Sequence, residues 1–184
     1  YNSTNTHFHM DGGKLWVGGC HTNGGYSLYI AGTTADVQVT GGSIGSTNGT
    51  AGTYWCYFHF GSNTINDFVI DRDANLTRTN SLVHVGGDLE IKKGTFYSAG
   101  QTIYVYGDWR NDSTTVPSYT HGNSTIYFSG AGDSEILGST QTSFYNLYTN
   151  KTEPTAKVKQ SADVTVNYAF QVQKGTYELD GSTL

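Results

Sequence analysis

Residues 83 to 103, VHVGGDLEIKKGTFYSAGQTI, align without a gap with residues 164 to 184, VTVNYAFQVQKGTYELDGSTL, at an offset of 81. Seven of the 21 aligned positions are identical, including the tripeptides Lys93-Gly94-Thr95 and Lys174-Gly175-Thr176. On either side of the tripeptide, apolar residues alternate with polar ones, as strands with one buried face require. The repeat therefore predicts short strands separated by turns that contain glycine.

A repeated strand-turn unit is typical of a solenoid, because one coil cannot bury its apolar face until another coil stacks on it. We therefore predict an all-β fold, a parallel β-helix or stack of β-arches, with a β-sandwich as the alternative. The solenoid repeats are expected over residues 57–184, after a β segment over residues 1–56, in one continuous domain. Predicted inward residues of the first repeat copy are Val83, Val85, Leu89, Ile91, Phe96, Ile103 and Val105. The second copy is expected to stack above the first, with Val164, Val166, Phe170, Val172, Tyr177 and Leu184 pointing inward. Predicted outward residues are His84, Asp88, Glu90, Lys92 and Tyr104.

Composition and charge exclude several classes of protein. Only 14% of the residues are charged and the formal net charge is -5, which disfavours a surface that binds nucleic acid phosphates. No apolar run is long enough for a membrane-spanning helix, and no window has the apolar spacing of an amphipathic helix. We expect neither a nucleic acid partner nor a membrane span.

Cysteine and sequon usage point to an extracellular location. Cys20 and Cys56 are the only cysteines, and they form either one disulfide in an oxidising compartment or two reduced buried thiols. The chain opens with Tyr1, so we expect a mature secreted product or a fragment. The candidate glycosylation sites are the six Asn-x-Ser/Thr sequons at Asn2, Asn48, Asn75, Asn111, Asn123 and Asn150.

Two short patterns contain residue types that bind metal ions. Asp71, Asp73 and Asn75 alternate like the first ligands of a calcium loop, but the glycine and the final acid of that loop are absent. His7 and His9 would project from one side of a strand. A solvated turn and ordinary surface histidines are the simpler interpretations, so we assign no cofactor, with Ca²⁺ as the alternative.

Surface aromatic and acidic residues suggest two other kinds of site. Tyr104 and Tyr106 could stack on sugars or on a neighbouring subunit if their rings are exposed. The pairs Asp88/Glu90 and Asp133/Glu135 place two carboxylates on one face of a strand, as in two-carboxylate hydrolases. An exposed polar face explains the acids more simply, so we assign no catalytic residue and do not expect an enzyme.

The stretch GGDLEIKKGTFYSAGQTIYVYGDW, at residues 86–109, resembles the repeat units of large secreted proteins on bacterial and archaeal surfaces. Residues 126–132 followed by residues 143–150 resemble the next unit, and the resemblance covers about residues 57–184. It implies a right-handed β-helical surface protein, and more specifically a subunit of an archaeal extracellular sheath or filament. These proteins share no active site, so the resemblance implies no functional residue.

The last strand suggests how the protein assembles. Residues 177–184 form an apolar strand whose next partner is missing, and the sequence offers no amphipathic helix to cover that edge. We expect this edge to pair with another copy of the chain, giving a homopolymer that forms a filament, sheath or surface layer. A carbohydrate-binding adhesin module and a polysaccharide-cleaving β-helix are the alternatives.

Overall fold

The structure is a computed structural model that describes residues 7–18, 27–30, 37–47, 56–79, 82–181 and 183–184, with the backbone alone for residues 73–78. Within these residues every regular element is a β-strand and every strand pairing is parallel. The strands are β1 (Phe8–Val17), β2 (Leu28–Tyr29), β3 (Val37–Thr47), β4 (Cys56–His59), β5 (Thr64–Ile65), β6 (Asp67–Thr79), β7 (Val83–Val85), β8 (Leu89–Tyr97), β9 (Thr102–Val105), β10 (Trp109–Asn111), β11 (Tyr119–Thr120), β12 (Thr125–Phe128), β13 (Ser134–Leu137), β14 (Thr142–Asn150), β15 (Lys157–Gln160), β16 (Val164–Lys174) and β17 (Thr176–Leu179).

Successive coils of the chain stack on one another in two parallel sheets. A six-stranded sheet has the order β16-β14-β12-β9-β7-β5, and the main path of an eleven-stranded sheet is β1-β3-β6-β8-β10-β13-β15-β17. His84 pairs with Tyr104, Tyr104 with Tyr127 and Tyr127 with Tyr148, in steps of 20, 23 and 21 residues. This stacking confirms the predicted β-solenoid and shows that the alternative β-sandwich is wrong.

The long strands bend at corners, so a coil has three sides that carry strands. In β8, residues 89–91 pair with residues 109–111 of β10, whereas Phe96 and Tyr97 pair with β11. We call the six-stranded sheet side 1, the part of the larger sheet that contains residues 89–91 side 2, and the part that contains Phe96 side 3. Gly94 lies at the corner between sides 2 and 3 with a φ of 71°, a conformation that glycine adopts without steric cost.

The 81-residue repeat relates strands on different sides of the solenoid. Leu89 lies on side 2, whereas its counterpart Phe170 pairs with Leu147 on side 1. Gly175, the counterpart of Gly94, lies at the corner between sides 1 and 2 with a φ of 93°. Our expectation that residues 164–184 stack above residues 83–103 as the same part of a coil is therefore wrong. The repeating unit is strand, glycine corner and strand, which fits any corner of the tube.

The apolar core fills the inside of the tube. All seven residues predicted to point inward in the first repeat copy are fully buried, and of the second copy Val164 is buried while Val166 and Tyr177 pack against the core. Buried rings meet edge to face along side 3 and its neighbours, as in the Phe58–Phe68 and Phe68–Phe96 contacts at 5.3 and 5.6 Å. In the described part of the chain, no helical segment has the length and apolar character needed to cross a bilayer.

Candidate assembly surface

The last coil that the structure describes has inward-pointing side chains on which no further described strand stacks. Phe170 pairs with Leu147 and Tyr177 pairs with Val158, and both of these partners are fully buried. In parallel strands paired residues project to the same side of the sheet, so Phe170 and Tyr177 point into the tube. The same argument applies to Val172, whose partner Thr149 is buried.

Exposed large apolar side chains are concentrated at this end. Phe170 is 37% exposed, Val172 46% and Leu179 56%, although equivalent positions one coil earlier are buried. A contiguous apolar surface of this kind marks a contact site in soluble proteins. We define the C-terminal end surface as Phe170, Val172, Tyr177 and Leu179, with Tyr168 (74% exposed) and Leu184 (48% exposed) beside it.

The main chain at this end also has an open edge. Among the described residues, β16 pairs only with β14 and β17 pairs only with β15. Apart from Val164, whose N–H donates to the Thr183 carbonyl oxygen at 2.9 Å, the outer edges of these strands present N–H and C=O groups in the arrangement that a further parallel strand would use. The exposed inward side chains and the unpaired backbone groups thus lie together at the same end of the solenoid.

Contacts from the preceding coil hold this surface in place. The Tyr177 hydroxyl donates a hydrogen bond to Gln160 Oε1 at 2.7 Å, and burial raises the pKa of Tyr177. Its ring lies 4.8 Å from the Phe170 ring in an edge-to-face contact. On the outside, Lys157 forms an ion pair with Glu178 at 2.8 Å. The surface is therefore ordered before any partner binds.

The opposite end of the solenoid has a similar strand. Phe8, Met10, Leu15 and Val17 of β1 are half-buried and pack against the core. Among the described residues β1 pairs only with β3, so its second edge is open as well. We define the N-terminal end surface as these four side chains.

Tyr104, the outward aromatic residue considered for sugar stacking, lies between two other rings on side 1. The Tyr104 ring lies 4.7 Å from His84 on one side and 5.0 Å from Tyr127 on the other, both nearly parallel. Tyr106 lies close to His84, with its hydroxyl 3.4 Å from Nδ1. A sugar that stacks on an aromatic residue needs an open face, and both faces of Tyr104 are covered. In a second row, Tyr168 stacks on Tyr145 at 5.0 Å at the C-terminal end of the solenoid.

The acids singled out from the sequence take part in bonds between coils. Asp88 Oδ1 accepts the backbone N–H of Asp108 at 2.8 Å, and Asp133 Oδ1 accepts that of Lys157 at 2.8 Å. Glu90 forms an ion pair with Lys92 at 3.1 Å. Asp133 and Glu135 also line a surface cavity of about 280 Å³, together with Asp108, Ser134, Lys157, Lys159 and Glu178.

An aspartate ladder at the corner between sides 1 and 2 was not recognised from the sequence. Asp67 bonds to the N–H of Asp88, Asp88 to that of Asp108, and Asp108 to that of Glu135. A Cβ at Gly87 would collide with Asp67 Oδ1, which explains the Gly-Asp pair before the strand. The recurrence of Gly87-Asp88, Gly107-Asp108 and Gly132-Asp133 is the signal that could have revealed it.

Three buried polar side chains also escaped the sequence analysis. Arg72 donates from Nη1 to the carbonyl oxygens of Gly18 and Thr47, and burial lowers its pKa. Lys151 donates to the Ser129 carbonyl oxygen at 2.9 Å and to a serine hydroxyl, and burial lowers its pKa to about 8. Nothing in the sequence distinguishes these two residues from surface cations.

Asn111 is the third of these side chains, and it was predicted as a glycosylation site. It is fully buried, and its Nδ2 donates to Ser118 Oγ at 2.9 Å and Thr142 Oγ1 at 3.0 Å. A glycan on Nδ2 has no room there in the folded protein, so the burial argues against this site. Asn123 and Asn150 are exposed.

The remaining predicted sites fall partly outside the described residues. Asn2, Asn48 and Cys20 lie outside them, as do the side chains of Asp73 and Asn75. Cys56 is fully buried, and its disulfide with Cys20 stays a prediction.

The metal candidates are not assembled into a site by the part of the chain that the structure describes. His7 directly precedes β1 and His9 lies within it; both are exposed, and Asp71 is half-buried in β6. Within the described residues, no three His, Cys, Asp or Glu side chains form a group that could hold a metal ion. Calcium or transition-metal binding stays untested.

Comparison with known proteins adds no family to this description. No protein-family model, no curated protein and no solved structure matches the chain. The fold and the two end surfaces therefore carry the functional argument.

Proposed function

We propose that this protein is a structural subunit of an extracellular filament, sheath or surface layer, which assembles by strand addition between solenoid ends. The observation that carries the proposal is the C-terminal end surface, where core-type side chains are exposed beside open strand edges. Another parallel strand on β16 and β17 would bury these side chains and pair the backbone groups at once.

The direction of the open end favours a polymer over a closed dimer. The exposed edges of β1 and β17 lie at opposite ends of the main sheet path. A contact between two different ends is head to tail, and it repeats along the axis until a ring closes or a filament grows. Polar outward residues and the exposed sequons Asn123 and Asn150 would then cover the sides of the polymer.

The proposal is tested by placing charge on the C-terminal end surface. In the double variant Val172→Lys/Leu179→Lys, two cations would have to be buried in each junction, which is unfavourable without partners. Both sites are about half exposed in the single molecule, so folding should persist. We expect end-to-end polymers of the parent chain by negative-stain microscopy and analytical ultracentrifugation, and monomers of the variant.

The matched control adds the same charge to the outside of the same strand. Gln171→Lys/Gln173→Lys changes two exposed residues of β16 that alternate with the inward ones. This variant should polymerise like the parent chain. A parent chain that stays a monodisperse monomer at high concentration would refute the assembly proposal.

Polysaccharide binding or cleavage is a second candidate, favoured by one observation. The cavity of about 280 Å³ beside Asp133 and Glu135 contains both acids and lysines within one surface depression. Retention on insoluble polysaccharides and release of reducing ends would test it, with Asp133→Asn and Glu135→Gln as variants. Tyr104→Ala tests the adhesin alternative, and its covered faces predict unchanged retention.

A further inference from the structure

The two end surfaces have the same spacing of inward residues. Phe170, Val172, Tyr177 and Leu179 follow Phe8, Met10, Leu15 and Val17 at a constant interval of 162 residues. The corner glycines Gly13 and Gly175 are separated by the same interval, and both have positive φ, 78° and 93°. The first and the last described coils thus share the same spacing of inward residues around a corner glycine.

The two ends also lie on the same sides of the tube. Residues 8–10 pair with residues 37–39 of β3, which contacts β5 on side 1, and residues 14–17 pair with residues 43–46 on side 2. At the other end, β16 belongs to the side 1 sheet and β17 to side 2. A second copy can therefore continue the solenoid with its own side 1 above side 1 and side 2 above side 2.

Charges near the junction are complementary in this register. In the register set by the 162-residue interval, residues 12–16 of the second copy lie opposite residues 174–178. Trp16 lies opposite Glu178, which places Lys14 two positions from this carboxylate. Opposite charges on diagonal positions of neighbouring strands are favourable.

We propose that β1 of a second copy is the strand that adds to β16 and β17, with Phe8 above Phe170, Met10 above Val172, Leu15 above Tyr177 and Val17 above Leu179. This register rests on the proposed head-to-tail assembly and names its partner. Each junction joins side 1 and side 2 strands across one glycine corner, as Gly42 and Gly13 do between β3 and β1. The occupant of the open end is thus an identical chain rather than an unrelated protein.

The register is tested with a pair of cysteines on the outer face of the junction. His9→Cys and Gln171→Cys replace exposed residues that the register places opposite each other. Neighbouring strands are about 4.8 Å apart, within the range of about 4.4 to 6.8 Å that disulfides span between Cα atoms. Oxidation of polymers of the double variant should give a ladder of dimers, trimers and longer species on a non-reducing gel.

The matched control shifts one cysteine by two residues. In Asp11→Cys/Gln171→Cys the two Cα atoms would be about 8 Å apart, beyond disulfide reach, so we expect at least a tenfold weaker ladder. The parent chain, with only Cys20 and Cys56, gives the background. A mixture of the two single variants with different tags should give only mixed dimers.

The outcomes separate the register from the assembly proposal. Polymers without a ladder, or an equal ladder from the shifted pair, would overturn the register while leaving head-to-tail assembly in place. Absence of polymers from the parent chain would refute both. A Val172→Cys thiol that is protected from maleimide in the monomer would show that this end is covered within the molecule, and it would also overturn the proposal.

Discussion

The carboxylate of Asp88 accepts the backbone N–H of Asp108 at 2.8 Å, so a side chain in one coil pairs with the main chain of the next. Asp108 does the same for Glu135 at 2.7 Å. These bonds lie at the corner between sides 1 and 2, where backbone groups leave the regular ladder and need other partners. As a consequence, aspartate carboxylates of like charge lie near one another along the solenoid axis.

Two substitutions of Asp108 should distinguish the contribution of its hydrogen bond to stability from the contribution of its charge. Burial, and then the charges of Asp88 and Glu135, raise the pKa of Asp108. The folded pKa exceeds the unfolded one, so this group's stabilisation is present below about pH 3.8 and is lost as the pH rises through the folded pKa. Asp108→Asn keeps an acceptor for the Glu135 N–H without the charge. As the pH rises to 7, the free energy of unfolding of this variant should increase relative to that of the parent chain.

Asp108→Ala is the control for the hydrogen bond. It leaves the Glu135 N–H without its acceptor, so we expect it to be less stable than Asp108→Asn by about 1–3 kcal/mol at every pH. Urea unfolding of the three proteins between pH 3.5 and 7 measures both effects. Equal stabilities of the Asn and Ala variants would contradict the role of this bond.

Lys151 should make stability depend on pH in the alkaline range. Burial lowers its pKa to about 8 from 10.5, so between these values the unfolded chain binds more protons and stability rises with pH. The difference corresponds to about 3 kcal/mol as an upper figure. Lys151→Met cannot titrate, so denaturant unfolding at pH 7 and pH 10.5 should show a smaller rise than in the parent. The same rise in both proteins would show that Lys151 does not titrate in this range.

Gly175 should tolerate alanine less well than Gly181. Both have positive φ, 93° and 67°, so alanine costs about 1–2 kcal/mol at either position through the backbone. A Cβ at Gly175 would also lie 2.8 Å from the Ala156 carbonyl oxygen and 2.9 Å from Lys151 Cγ, whereas nothing lies within 4 Å at Gly181. Thermal unfolding should therefore rank Gly175→Ala clearly below Gly181→Ala. A reversed or equal order would mean that the backbone around Gly175 shifts to accommodate the added Cβ.

Glycan occupancy should follow side-chain exposure. In a host that performs N-glycosylation, glycopeptide mapping should find sugar at Asn123 or Asn150, which are exposed, and none at Asn111, which is buried. Asn111→Gln should lower stability because the longer side chain cannot keep the bonds to Ser118 and Thr142 in a full core. A glycan on Asn111 of the folded protein would contradict the burial of this side chain.

The sequence by itself determined which residues point inward wherever alternation was clear. Val83, Val85 and Ile103 are buried as predicted, because a period of two places alternate side chains on one face whatever the coil does next. The alternation also predicted a strand near the C-terminal end, observed as β17. The alternation could not show which side of the tube a strand occupies, because the pattern of strand, glycine and strand is the same at different corners.

Only the tertiary structure decided which distant residues meet. The stacking steps of 20, 23 and 21 residues are set by corner geometry, and they bring His84, Tyr104 and Tyr127 into one row whose ring faces are covered. The same steps bury Asn111 and align the aspartates. Short-range patterns fix the direction of each side chain, whereas its neighbours along the axis depend on the length of every intervening coil.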